Sequence, residues 1–178
     1  MSLPTHLNTA RLTLRPPVAS DAVWIAREIA HPEVAPWLTS LPYPYTLGDA
    51  ETWLGSLGQQ NGQYVIEAGE RIGVVTLRAD PDHPELGYWL ARDQWGQGYM
   101  TEAARAVLAA YFSVRPGPVP SGYVLGNAQS ANTLRKLGFV NTNVVTQATA
   151  RGEVQVQKMT LTRTAWLDHA KEPGGIPA

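Results

Sequence analysis

The stretch Glu85-Leu-Gly-Tyr-Trp-Leu-Ala-Arg-Asp-Gln-Trp-Gly-Gln-Gly-Tyr-Met-Thr101 decides how the chain is read. Its apolar first part, Glu85 to Ala91, reads as a strand. The turn Trp95-Gly96-Gln97-Gly98 follows, and glycine turns the backbone tightly without steric cost. From Glu102 to Tyr111, residues Ala103, Ala104, Val107, Leu108 and Tyr111 fall on one stripe, as in a helix packed on a sheet. This order sets unpaired backbone N–H groups and the positive end of a helix at the mouth of a strand, which is where phosphate binds. Two rival phosphate motifs fail on the residues. No Gly-x-x-x-x-Gly-Lys-Ser/Thr string exists, and the third glycine of a dinucleotide fingerprint is replaced by Thr101. Two glycines alone are also compatible with a plain turn between strand and helix.

Composition narrows the surroundings. The chain has 178 residues, enough for one domain with a real core, and 44% hydrophobic against 16% charged residues makes it globular. A net charge of -1 with no basic run argues against a nucleic-acid partner. The absence of cysteine excludes a disulfide framework, a thiolate nucleophile and a Cys-based zinc site. The four histidines, His6, His31, His83 and His169, show no ligand spacing, so no metal is expected. Apolar runs are too short to span a bilayer and the first residues lack a signal-peptide pattern. A cytoplasmic protein is the expectation, as a monomer or homodimer.

Outward from the opening stretch, the pattern predicts one α/β domain with a mixed, mostly antiparallel sheet and helices on both faces. Arg11 to Arg15 alternates as a strand, and Ser20 or Asp21 caps a helix that ends before Pro32. Thr46-x-x-Asp49 is a capping box for a second helix. Tyr64–Glu67 and Ile72–Arg78 form a hairpin around Gly69-Glu70. Pro116 to Pro120 is a loop, Gly122 to Leu125 a strand, and Ser130 to Leu137 a helix ended by Gly138. Strands Val140–Thr149 and Val154–Thr162 close the domain. Val154 and Val156 are out of phase with Met159 and Leu161, which predicts a bulge in the second. The core spans about residues 10–165, and the tail 172–178 is loose.

Three segments together resemble the GCN5-related N-acetyltransferase superfamily, and within it the RimJ/RimL-like branch. Glu85-Leu-Gly-Tyr-Trp-Leu with Trp95-Gly-Gln-Gly-Tyr-Met-Thr-Glu-Ala103 is similar to the family's acyl-CoA pyrophosphate motif and the strand before it. Asn127-Ala-Gln-Ser-Ala-Asn-Thr-Leu-Arg-Lys-Leu-Gly-Phe139 is similar to its second cofactor segment, and Arg11-Leu-Thr-Leu-Arg-Pro with Ser20-Asp21 to the opening of the branch. The resemblance implies a sheet whose strand at Tyr88 to Ala91 splays from the next (the fourth and fifth strands in the family's count). It also implies an acetyl-CoA-dependent N-acetyltransferase acting on a primary amine, a protein N-terminus or a small molecule, by direct attack. A non-catalytic acyl-CoA-binding or regulatory module is the alternative.

Residue by residue, the resemblance places the CoA pyrophosphate on the backbone of Trp95, Gly96, Gln97, Gly98, Tyr99, Met100 and Thr101. Trp95 departs from the usual Arg or Gln, and Met100 from a small residue. A backbone amide near Trp89 or Leu90 would polarise the thioester carbonyl. Glu85 matches the general base of some members. A carboxylate is a weak base at neutral pH unless burial or a water relay helps it, and Glu85 could equally cap the strand or attract a cationic substrate. Asp80, Asp82 and His83 are further candidates. Leu134 occupies the position where many relatives carry a Tyr acid, so the hydroxyl of Ser130 is the candidate acid, with helix capping as its other use. Asn127 and Asn132 would hydrogen-bond the pantetheine arm or acceptor, with turn formation open for Asn127. The aromatic and proline-rich stretch with Trp37, Tyr43 and Tyr45 is where the acceptor is expected, although any one ring suits a covering loop as well.

Overall fold

The computed structural model describes residues 3–57, 62–78 and 84–169. Strands β1 (Leu7–Asn8) and β2 (Thr13–Arg15) open the chain, followed by helices α1 (Ala22–Ile29) and α2 (Leu47–Ser56). Strands β3 (Gln63–Glu67), β4 (Arg71–Leu77) and β5 (Leu86–Leu90) come next, then α3 (Tyr99–Val114), β6 (Val119–Val124) and α4 (Ala128–Lys136). Strands β7 (Val140–Thr149) and β8 (Gly152–Leu161) and helix α5 (Arg163–His169) complete it. Every ladder among the described residues is antiparallel, in two sheets ordered β1-β2-β3-β4-β5 and β6-β8-β7. No helix among these residues is long and apolar enough to cross a membrane.

Alternation along the strands explains why helices cover both faces. Leu86, Tyr88 and Leu90 of β5 pack with Val75 and Leu77 of β4 against the apolar stripe of α3. Trp89 and Val74 point the other way, into a second cluster with Trp24, Ile25, Ile29 and Ala50 from α1 and α2. There Trp89 meets Trp24 with ring centroids 5.3 Å apart. The buried carboxylate of Asp21, 1% exposed, anchors this side through Arg15 at 2.8 Å and Arg71 at 3.3 Å.

Several local expectations hold and several are corrected. The Thr46–Asp49 capping box forms, with Asp49 N–H donating to Thr46 Oγ1 at 3.2 Å and Thr46 N–H to Asp49 Oδ2 at 2.8 Å. Asp21 stands at the N-cap position of α1, as expected, but its side chain makes no hydrogen bond to the helix. Its carboxylate accepts from Val18 N–H at 2.8 Å and closes the short turn before the helix. The strand expected over Arg11–Arg15 is confined to β2, Thr13–Arg15, and the Arg11 side chain reaches out to Glu102 of α3. Strand β6 starts at Val119, inside the expected loop. Its odd-numbered residues face β8, as Leu125 N–H donating to Gln155 O shows, so the missing N–H of Pro120 falls on the other side. The bulge lies in β7, not in β8. Thr142 and Asn143 are inserted between the pairs Asn141–Met159 and Val144–Gln157, and the Gln157 amide donates to Asn143 O at 3.1 Å across the irregularity. The amphipathic turn of α5 went unforeseen. The tail 172–178 and Asp80, Asp82 and His83 lie outside the described residues.

Candidate active site

The two sheets meet at β5 and β6, and no ladder joins these strands. One side chain bridges them: buried Ser121 of β6 donates its hydroxyl to Leu86 O of β5 at 2.9 Å. Beyond this point the strands part. The gap is a cavity of about 310 Å³ lined by Leu86 to Leu90, Ser121 to Val124, the glycine turn and the start of α4.

Backbone parity decides which groups β5 offers to this cavity. Glu85 O accepts from Arg78 N–H and Ala91 N–H donates to Ile72 O, so odd-numbered residues are turned toward β4. Leu86, Tyr88 and Leu90 therefore present their backbone groups to the open edge. Two of these carbonyls have partners, Leu86 O in Ser121 and Leu90 O in the Trp95 indole N–H at 3.0 Å. The amides of Tyr88 and Leu90 are the ones directed at the gap, while that of Trp89 is directed at β4. Trp95 thus ties the end of β5 to the turn that begins α3, which gives its bulky side chain a use where Arg or Gln is usual.

That turn is built for donors. Gly96 and Gly98 have φ of 77° and 78°, a region that residues with a Cβ rarely adopt. Gly98 is the N-cap of α3 without a side-chain cap, and the first helical bond runs from Glu102 N–H to Gly98 O. The N–H groups of Tyr99, Met100 and Thr101 therefore have no partner within the helix, and all three residues line the cavity. The Met100 side chain is buried in the main core, which turns it away from the donors. Glu102, the acidic residue of this first turn, is tied down by Thr9 and by Arg11 at 2.7 Å. Burial alone would raise its carboxyl, but the hydrogen bonds of Thr9 and Arg11 hold it below the ordinary carboxylate value. Arg11 also donates to Gln97 O at 3.1 Å and lies over the Tyr99 ring at 4.6 Å. The Glu102 charge is thereby paired, and the unpaired α3 N–H groups at the positive end of the helix suit a pyrophosphate.

On the opposite wall, Asn127 caps α4 by accepting from Ser130 N–H at 3.1 Å. The cap is thus Asn127 and not Ser130, and the helix begins earlier, at Ala128. This leaves the Ser130 hydroxyl for another partner, the hydroxyl of Tyr88 at 2.9 Å. Burial pushes the Tyr88 hydroxyl up to about 12, against the opposing effect of the Ser130 hydrogen bond. Tyr88 was missed in the sequence, although it shares with Leu86 and Leu90 the period-two face that packs on α3, from which its hydroxyl reaches α4. Leu134 is fully buried in the main core.

Twelve of the expected site residues line this one cavity: Trp37, Trp89, Leu90, Trp95, Gly96, Gly98, Tyr99, Met100, Thr101, Asn127, Ser130 and Asn132. Gln97 is exposed beside it and contributes its carbonyl to Arg11. Glu85 stands just before β5 with its side chain 43% exposed and 3.9 Å from Arg78, and it is not part of the lining. The aromatic stretch is divided. Trp37 faces the first cavity, whereas Tyr43 and Tyr45 line a second of about 310 Å³ between the α1–α2 connection and the tip of the β7–β8 hairpin.

Residues 11–140, well over half of the chain, match the family profile described as an acetyltransferase (GNAT) domain. The chain belongs to the GNAT acetyltransferase family, and it is an enzyme of the acyltransferase class. No curated protein matches it in sequence. Among solved structures, its fold is similar to ribosomal-protein-S5-alanine acetyltransferase from Vibrio fischeri, with a TM-score of 0.75 at 20% identity over 92% of this chain and 99% of that one. It is similar to RimL, the ribosomal L7/L12 alpha-N-protein acetyltransferase in complex with coenzyme A, with a TM-score of 0.73 at 20% identity over 90% and 97% of the two chains. Spermidine N-acetyltransferase from Vibrio cholerae, in complex with CoA and spermine, gives a TM-score of 0.76 at 18% identity over 89% and 99%.

Proposed function

We propose that the protein transfers an acetyl group from acetyl-CoA to a primary amine, on a protein N-terminus or a small molecule, by direct attack of the amine. The observation that carries this reading is the gap between β5 and β6, with free helix donors on one wall and paired hydroxyls on the other. The likeness to structures holding CoA supports the same use of the gap, and the two neighbours named as ribosomal-protein acetyltransferases, one of them RimL, favour the RimJ/RimL-like branch. A cytoplasmic setting is part of the proposal.

In this reading the amides of Tyr99, Met100 and Thr101 hold the pyrophosphate, with Gly96 and Gly98 allowing its close approach. Asn132 hydrogen-bonds along the pantetheine arm, while Asn127 acts by capping the helix that carries Ser130. Acetyl-CoA supplies an acyl carbon already activated toward a nitrogen nucleophile. The Leu90 amide polarises the acyl oxygen, a contribution that oxyanion donors make at about 10²–10³-fold in rate. Glu85, outside the lining and open to solvent, takes the amine proton through water. The Ser130 hydroxyl meets the departing sulfur. Trp37 contacts the acceptor.

Incubation with acetyl-CoA and a broad panel of amines, with titration of free thiol, tests this directly. Thiol release above hydrolysis for at least one amine is expected, and Glu85→Gln and Ser130→Ala should each slow it. Tight CoA binding with no amine-dependent release across the panel would instead establish the acyl-CoA-binding module.

A further inference from the structure

The pair Tyr88–Ser130 is the one place in the cavity where two side-chain hydroxyls meet, one from β5 and one from α4, 42 residues apart in sequence. Tyr88 is otherwise held by its strand: it pairs with Val75 on β4 and packs on the main core beside Leu86 and Leu90. Its hydroxyl lies 2.9 Å from the Ser130 side-chain oxygen and 3.4 Å from the Ser130 backbone carbonyl, which competes for the single phenol proton from the longer, weaker distance. A serine hydroxyl carries one proton and can accept as well as donate. If Tyr88 donates to Ser130 Oγ, the serine proton is free to turn into the cavity. If the direction were reversed, Ser130 would show only lone pairs to an incoming sulfur and would repel a thiolate. The phenol is the more acidic hydroxyl, so it is the better donor of the two. A negative sulfur in front of Ser130 would reinforce that direction, because chained hydrogen bonds polarise one another.

We infer that Tyr88 is a positioning residue that acts through Ser130, supplying from the strand the aromatic hydroxyl that the buried Leu134 cannot supply from the helix. This deepens the acetyltransferase reading and rests on it. When the carbon–sulfur bond breaks, its electron pair goes to sulfur. Ser130 gives its proton to that sulfur and takes the Tyr88 proton in its place. Tyr88 is then reprotonated through water by the proton that the amine nitrogen lost in forming the amide. The net transfer is one proton from nitrogen to sulfur, and both hydroxyls end as they began.

A double-mutant cycle tests the inference, read as kcat and KM for acetyl-CoA in the thiol assay, with CoA affinity by calorimetry as a check on binding. Tyr88→Phe, which keeps the ring and its packing, is expected to lower kcat about tenfold, less than the about 10²–10⁴-fold of a group that itself transfers the proton to substrate because Tyr88 acts through Ser130, with KM and CoA affinity nearly unchanged. In a Ser130→Ala background the same change should alter kcat less than about twofold, because its target is gone. Ser130→Thr, which keeps a hydroxyl, should restore the sensitivity to Tyr88→Phe. Losses that multiply in the double variant, or a Tyr88→Phe defect confined to KM or CoA affinity, would overturn the role of Tyr88 while leaving the acetyltransferase intact. A wild-type protein that releases no thiol with any amine would overturn both.

Discussion

Gly73 is the sharpest handle on whether β5 works as a rigid platform. It lies in mid-β4 opposite Leu90, where a Cβ would stand 2.5 Å from Trp89 O and 2.5 Å from Leu90 Cδ2. The leucine methyl can rotate away, but the carbonyl belongs to the strand. Ordinary contact begins near 3.4 Å, so Gly73→Ala must separate β4 from β5 by roughly 0.9 Å at this point. The Ala91–Ile72 hydrogen bond, 2.9 Å long, would then be stretched beyond its useful range. Overpacking of this kind costs about 1–3 kcal/mol, or about 2–12 °C in melting temperature for a chain of this size.

The functional effect should be larger than the thermal one. The displaced segment carries the Leu90 amide and the carbonyl held by Trp95, so the proposed acyl site moves with it. A misplacement of about 1 Å lowers catalysis by about 10²-fold. The assay is a thermal melt beside kcat/KM for acetyl-CoA, with Gly55→Ala as the control. Gly55 lies in α2 outside the cavity lining, and a Cβ there meets nothing within 4 Å. If Gly73→Ala melts within about 1 °C of wild type and keeps kcat/KM within about twofold, β5 is not held as argued and the assignment of its edge to the thioester fails.

Three further outcomes are expected. Asp21→Asn, which strips a buried carboxylate from Arg15 and Arg71, should cost about 3–5 kcal/mol at pH 7 by denaturant titration. Burial raises the Asp21 carboxyl, but Arg15, Val18 and Arg71 together depress it. Its stabilising effect is therefore complete above the ordinary carboxylate range near pH 4 and is lost as pH falls through its lower folded value; a gap between wild type and variant that stays constant down to pH 2 would contradict this. Arg11→Ala should barely change stability, since this pair is half exposed, yet it frees the Glu102 carboxylate beside the α3 donors. KM for acetyl-CoA should rise about fivefold, the equivalent of a lost helix-terminus interaction, and an unchanged KM would show that Glu102 never faces the phosphates. Trp37→Ala should raise KM for the amine without raising that for acetyl-CoA; equal effects on both would place Trp37 on the wrong substrate.

What the sequence made legible was what neighbours along the chain determine. The Thr46 cap, the Gly96 and Gly98 turn and the α3 stripe need only residues a few positions apart. The contacts that make the site a site join distant segments. Ser121 reaches Leu86 across 35 residues and Tyr88 meets Ser130 across 42. No periodicity encodes such pairings, because each is set by where two sheets happen to part. Gly73 left a faint signal, since a glycine inside a strand often marks a close backbone approach. Ser130 was misread as a possible cap because Asn127, three residues earlier, was equally able to cap and geometry alone chooses between them.

The acceptor half is harder still, and the structure shows why. The short turn Ala35–Trp37 is a partition: Val34 and Trp37 face the first cavity, Ala35 and Pro36 the second, and Leu38 borders both. Its far side is fixed by the β7–β8 hairpin, where Gln147 donates to Thr39 at 3.1 Å and Arg151 lies over the Tyr43 ring at 4.2 Å. In the proposed reaction, the shape offered to an amine would thus depend on two segments more than a hundred residues apart meeting at one turn. The proposed CoA site needs only backbone amides at a helix start, which many side chains permit, so it would persist while this partition changes. Under that proposal, a change at the hairpin tip, such as at Arg151, would redirect acceptor choice without touching either the cradle or the paired hydroxyls.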